Sequence, residues 1–160
     1  MRRPLFVLVL LTTIAVSWAQ AAFAAVRPPF GGSRRSHAAR LQKLARRVVA
    51  YARHEVGVAY SYGGSSPATG FDCSGLVYAA YRSIGWKIPR SSWDQLRVGR
   101  PVRFARLRLG DLLFTEGGGH VQLVVSKSAA ISAPQTGERV RYVPLAQLRP
   151  EFAGARRLLK

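Results

Sequence analysis

Apolar positions along this chain change period near its middle. Between Ala38 and Val56, Leu41, Leu44, Ala45, Val48 and Ala52 recur at three- and four-residue intervals, which places them on one helical face. Arg40, Lys43, Arg46, Arg47 and Arg53 load much of the remaining circumference, and Gly57 is a natural stop. A second helical stretch follows Asp72, with Leu76, Val77, Ala80, Tyr81 and Ile84 on one face. Asp72 suits its N-cap, because the carboxylate can accept from free N–H groups of the first turn. Gly85 to Pro89 ends that helix, and Arg90 to Leu96 reads as a polar loop capping a short helix from Ser91 or Ser92. Beyond residue 110 the runs become short and β-branched. Asp111–Phe114, His120–Val125, Ala129–Ala133, Arg139–Val143 and Arg156–Leu159 are predicted strands, with a helical turn over Pro144–Leu148. Helices first and strands afterwards predict an α+β fold, an antiparallel sheet packed by helices.

The N-terminal pattern belongs to neither group. Arg2 and Arg3 precede an apolar run from Leu5 to Val16, and Ala22-Phe23-Ala24 has the small-x-small form of a cleavage site. The run is too short to span a bilayer comfortably. Residues 1–24 are therefore read as a secretory signal peptide, with an uncleaved anchor as the alternative. Residues 25–37, with Pro28, Pro29, Gly31, Gly32 and the Arg34-Arg35 pair, read as a flexible basic arm, and 38–160 as one domain. Cleavage after Ala24 leaves 136 residues, enough to bury a real core.

Charge narrows the partners. The chain has 25 basic and 7 acidic residues, net +18, or +16 once Arg2 and Arg3 leave with the leader. Such a surface associates with polyanions. For an exported protein these are anionic cell-wall polymers or a membrane surface. No nucleic-acid motif is present, and export argues against that partner. A solvated basic face with no partner is the plainer reading.

Candidate chemistry centres on Cys73, the only cysteine. It cannot form an internal disulfide, and an odd thiol in an oxidising compartment calls for a chemical reason. At a helix start, free N–H groups and the helix dipole favour the nucleophilic thiolate, so a lowered pKa is expected. A buried cysteine behaving as a small hydrophobe is the alternative. A thiol nucleophile needs a base. Of three histidines, His37 lies in the arm and His54 on a basic helix, which leaves His120 at the head of the best strand.

The motif Asp72-Cys73-Ser74-Gly75-Leu76-Val77, preceded by Tyr60-x-Tyr62-Gly63-Gly64, resembles the NlpC family of bacterial cell-wall cysteine peptidases. Pro89-Arg90-Ser91-Ser92 with Gln95, Leu109 to Phe114, Gly119-His120-Val121, Ala133-Pro134 with Gly137, and Phe152 to Arg157 match in the same order. The resemblance covers roughly Val48 to Leu158. It implies a papain-like fold, with a cysteine-bearing helix packed on a central antiparallel sheet that carries the histidine. It implies hydrolysis of the γ-D-glutamyl–diamino acid amide of peptidoglycan stem peptides, without cofactor or metal, by a monomer. Carried over, Cys73 is the nucleophile and His120 the base and acid. Tyr60 sits beside the nucleophile, where it helps bind substrate or the oxyanion, and Asp72, Ser74 and Arg90 line the substrate groove.

Two positions depart from the family pattern. The third polar residue, usually histidine and twelve positions beyond the base, is Ser132. The glycine usual two positions after the base is Gln122. If the chain turns around Lys127, Ser132 faces Gln122 across a hairpin on the side of His120, and either can accept from the imidazole. Ser132 thus completes the candidate catalytic set. The departure leaves two alternatives beside hydrolysis: a weakened domain that binds wall polymers without cutting them, and an acyl or amide transferase on the same scaffold.

Overall fold

The computed structural model describes residues 31–160. The expected signal peptide and residues 25–30 of the arm lie outside the described residues. The first helix, α1, runs Gly31–His54, so residues 31–37, expected as arm, are its opening turns. Gly31, Gly32 and the arginine pair had suggested a linker. The helix nonetheless continues through them toward the N-terminus, ahead of the apolar face that signals it. The helix ends at His54, two residues short of the expected Val56, and Gly57 closes the turn that follows, at φ +96°.

A two-stranded ribbon, β1 (Ser65–Ser66) and β2 (Gly70–Phe71), leads directly into α2 (Cys73–Arg82). Asp72 is its N-cap, in extended conformation, with the side chain accepting from Gly75 N–H. A short α3 (Ser92–Gln95) is capped by Ser91. The remaining strands are β3 (Arg100–Pro101), β4 (Leu112–Thr115), β5 (His120–Val124), β6 (Ala129–Ser132), β7 (Arg141–Pro144) and β8 (Gly154–Arg157), with α4 (Leu145–Leu148) between the last two. They form one six-stranded sheet in the order β3-β8-β4-β5-β6-β7. Every neighbouring pair is antiparallel.

Period-two alternation gives the sheet two apolar faces. Leu112, Phe114, Val121, Leu123 and Ile131 pack with Val48, Val49 and Ala52 of α1 and Leu76, Val77, Ala80 and Tyr81 of α2. Leu113, Val124 and Ala130 face the other way, under Leu145, Phe104, Leu107, Leu148 and Phe152. Two ties fix α2 and β8 to this frame. Tyr81 Oη donates to Gly110 O at 2.6 Å. The Asp111 carboxylate, in a side chain 1% exposed, takes a two-pronged bond from Arg157 on β8. The result is the α+β arrangement anticipated from the change of period, with α2 laid against the central strand β5.

Candidate active site

The site forms where α2 begins and β5 begins. Asp72 holds the start of α2 by more than a cap. Its Oδ1 accepts from Gly75 N at 2.6 Å, Ser74 Oγ at 3.0 Å and Arg90 Nη1 at 3.0 Å. Its Oδ2 accepts from Gly63 N at 2.9 Å and Arg90 Nη2 at 2.7 Å. Arg90 also donates to Ser74 Oγ and to Gly64 O. Burial pushes the Asp72 carboxyl up, but the Arg90 guanidinium, the Gly75 N–H and Ser74 outweigh it and hold the group below its usual range. The three residues expected to line the groove therefore come together as one cluster that fixes the Gly63–Gly64 loop to the helix. A side chain at Gly75 would collide with the Gly64 carbonyl oxygen, so glycine two positions after the cysteine permits this contact.

Cys73 is half-buried, with the Val121 backbone N–H directed at its sulfur. Burial pushes the thiol up. The Val121, Ser74 and Cys73 N–H groups pull it down, the Asp72 charge raises it again, and the net shift is upward. The lowered pKa expected at a helix start is thus corrected. Desolvation of the thiolate exceeds the help from the first-turn N–H groups. Tyr60 is near enough to feel the Cys73 charge; burial first, then the charges of Cys73 and Asp72, push its phenol up, so it stays a hydroxyl donor.

His120 opens β5, and Nε2 of its ring is 2.8 Å from Ser132 Oγ. β5 and β6 pair Leu123 with Ile131 and Val124 with Ala130, a register whose next position is Gln122 with Ser132. This is the pairing expected from a turn around Lys127, and it puts Ser132 on the side of His120. Gln122, the other acceptor anticipated for the ring, instead turns to Thr115, donating from Nε2 to Oγ1 at 3.1 Å. Burial lowers the pKa of His120 against the smaller opposing pull of Glu116 and Glu151. Both shifts favour the uncharged forms, a thiol at Cys73 and an imidazole at His120, and Nδ1 is the ring nitrogen that Ser132 does not contact.

Three contributors had no assigned role. Gln95, fully buried, donates from Nε2 to Ser74 O and Pro89 O, tying α2 to the Arg90 segment. Ser92 Oγ donates to Gly119 O, anchoring the turn before His120. Trp93 lies against Gly118, where φ is +112° and a Cβ would meet the indole at 3.2 Å. Their signal was a run of polar residues in a loop, which marks a cap as readily as a support.

A cysteine on a helix N-terminus, packed on an antiparallel sheet that carries the histidine, is the papain-like arrangement. The NlpC/P60 family profile matches residues 57–156, and the chain belongs to that family of cysteine peptidases. It is 37% identical over 134 residues to murein DD-endopeptidase MepH of Escherichia coli K12, covering 78% of this chain and 49% of that protein. It is 37% identical over 98 residues to the γ-D-glutamyl-L-lysine dipeptidyl-peptidase of Bacillus subtilis 168, covering 58% of this chain and 33% of that one. Among solved structures, the peptidoglycan hydrolase RipB of Mycobacterium tuberculosis superposes with a TM-score of 0.69 at 32% identity, over 76% of this chain and 68% of that chain. The chain spans about half or less of the curated relatives it matches.

Proposed function

We propose that this protein is an exported peptidoglycan endopeptidase that cleaves a stem-peptide amide through Cys73. The observation that carries the reading is the His120–Ser132 bond at 2.8 Å, at the strand start where the N–H of the next residue, Val121, is directed at the sulfur of the helix-borne Cys73. Export rests on the leader pattern of residues 1–24 alone.

In the first step the Cys73 thiol gives its proton to His120 Nδ1 as sulfur attacks the amide carbonyl. The carbonyl oxygen gains the electron pair, and the Tyr60 hydroxyl, within range of the Cys73 charge, is the side-chain donor we assign to hold it. Collapse breaks the C–N bond, and the imidazolium returns its proton to the leaving nitrogen. A thioester remains. Water, deprotonated by His120, then attacks it, releasing the carboxylic acid and restoring the thiol. Thiolate and imidazolium form together in the reacting complex rather than waiting in the resting site.

Two amides are candidates. The residues that resemble the NlpC pattern point to the γ-D-glutamyl–diamino acid bond, as in the name of the Bacillus relative. The Escherichia relative, aligned over more of this chain, is named for a DD bond. Digestion of defined muropeptides, with products read by mass spectrometry, separates them. A γ-D-glutamyl cut leaves a shortened stem, whereas a DD cut opens cross-linked dimers into monomers. Intact muropeptides of both kinds would refute the proposal.

A further inference from the structure

A serine is an ambiguous partner for a catalytic imidazole. A carboxylate can only accept, so it selects the N–H tautomer facing it. A hydroxyl can accept from Nε2–H, which leaves Nδ1 free to receive the Cys73 proton. It can equally donate to a bare Nε2, which puts the proton on Nδ1 and leaves no base for the thiol. The 2.8 Å contact between Ser132 Oγ and His120 Nε2 fits both. In the productive arrangement the Ser132 proton must go elsewhere. Ser132 is 2% exposed, and among the described residues its hydroxyl has no second partner within hydrogen-bond distance. A buried donor left without an acceptor is costly.

The matching acceptor stands directly across the hairpin. Gln122 is also 2% exposed. The β5–β6 register, continued one step beyond the Leu123–Ile131 pair, sets it opposite Ser132, and opposed residues hold their Cβ atoms about 4.5–5.5 Å apart on one face of the sheet. Its Nε2 is committed to Thr115 Oγ1. Its Oε1 is buried with no partner. One orphaned donor and one orphaned acceptor thus occupy facing positions beside the base. We propose that Gln122 is a positioning residue: its Oε1 accepts the Ser132 hydroxyl proton, by a modest shift of the amide or through one bridging water, and so commits His120 to the tautomer whose Nδ1 serves Cys73. It acts through Ser132 and touches no reacting atom. The order Gln122–Ser132–His120 makes a neutral hydroxyl act as an acceptor toward the ring. The inference rests on the proposed Cys73–His120 chemistry only for its purpose; the tautomer itself is measured without turnover.

The test is the ¹⁵N spectrum of histidine-labelled Cys73→Ala protein, with ring-nitrogen shifts of His120 recorded above its titration. The parent should show protonated Nε2 and bare Nδ1. Gln122→Met, close in length but without the acceptor, should raise the Nδ1–H population several-fold, and Gln122→Glu should restore Nε2–H. Glu116 and Glu151, the carboxylates acting on His120, are the same in all three proteins. With Cys73 present, Gln122→Met should lower kcat about tenfold with KM little changed, and Gln122→Glu should recover it, because a lost positioning contact acts on the chemical step. A parent carrying the proton on Nδ1, or a Gln122→Met tautomer ratio equal to the parent's, would overturn the proposal. Should Gln122→Met not fold, Gln122→Ala is read in the same way, with the same rise in Nδ1–H expected. Tautomers that move as stated in a protein that cuts no stem peptide would uphold the positioning role and remove the proposed function instead.

Discussion

Ser132 Oγ sits 2.8 Å from His120 Nε2 because twelve residues of chain turn back around Lys127 and bring two strand positions onto one face. A neutral hydroxyl orients the ring but stabilises its cation less than a carboxylate would. Ser132→Ala is expected to lower kcat about tenfold, a fraction of the roughly 10²–10⁴ a positioned acid–base group supplies. Ser132→Asp should raise the pKa of His120, since an adjacent anion favours imidazolium, and move the acid limb of the kcat/KM profile to higher pH. Steady-state kinetics across pH checks both.

The neutral resting pair has its own signature. Burial and the Asp72 charge push Cys73 up, so thiolate appears only at higher pH than in a free cysteine. Iodoacetamide inactivation should inflect above the ~8.5 of an unperturbed thiol. Burial lowers His120, so the base stays neutral and competent into mild acid. The acid limb of kcat/KM should inflect below the ~6.5 of an unperturbed imidazole. An alkylation inflection well below 8.5 would mean a preformed thiolate–imidazolium pair and contradict this account.

Away from the site, Asp111 and Arg157 join β4 to β8. Asp111 Oδ1 accepts from Arg157 Nε at 2.7 Å, and Oδ2 accepts from Arg157 Nη2 at 2.6 Å and Arg108 N at 2.8 Å. Removing one partner strands a buried charge, so Arg157→Ala should cost about 3–5 kcal/mol. The double variant Asp111→Asn with Arg157→Leu should lose less than the sum of its single changes. Urea unfolding midpoints measure each.

The basic surface predicts a split in salt response. Binding of protein prepared without residues 1–24, net +16, to anionic wall polymer should weaken steeply with salt, because exposed charges are screened over about 8–10 Å near physiological ionic strength. Hydrolysis of a small soluble stem peptide should change far less. Equal sensitivity in sedimentation and turnover assays would remove the surface as a targeting device.

Much of the site could be read in the chain. Asp72 before a 3.6-period run marks a capped helix, and His120 opens a run of β-branched residues. The turn residues after Val125 set Ser132 opposite Gln122. Local patterns carry those elements. They do not carry β1, β2 or β3, whose two residues each are too few to show a period. Nor do they carry the insertion of β8 between β3 and β4, a long-range pairing. The start of α1 was obscured by Gly31 and Gly32, each worth about 1 kcal/mol against a helix, which the structure overrides. The upward shift of Cys73 was hidden for another reason. The helix start is local, whereas the burial that outweighs it comes from elements distant in sequence.

The most direct test compares parent and Cys73→Ala proteins, each lacking residues 1–24, on one defined stem peptide, with products resolved by mass spectrometry. The account predicts a pair of fragments from the parent, together heavier than the substrate by one water, with a new free amine on one of them. It predicts no fragments from a Cys73→Ala protein that melts at the parental temperature. Fragments formed at an undiminished rate by Cys73→Ala would contradict it.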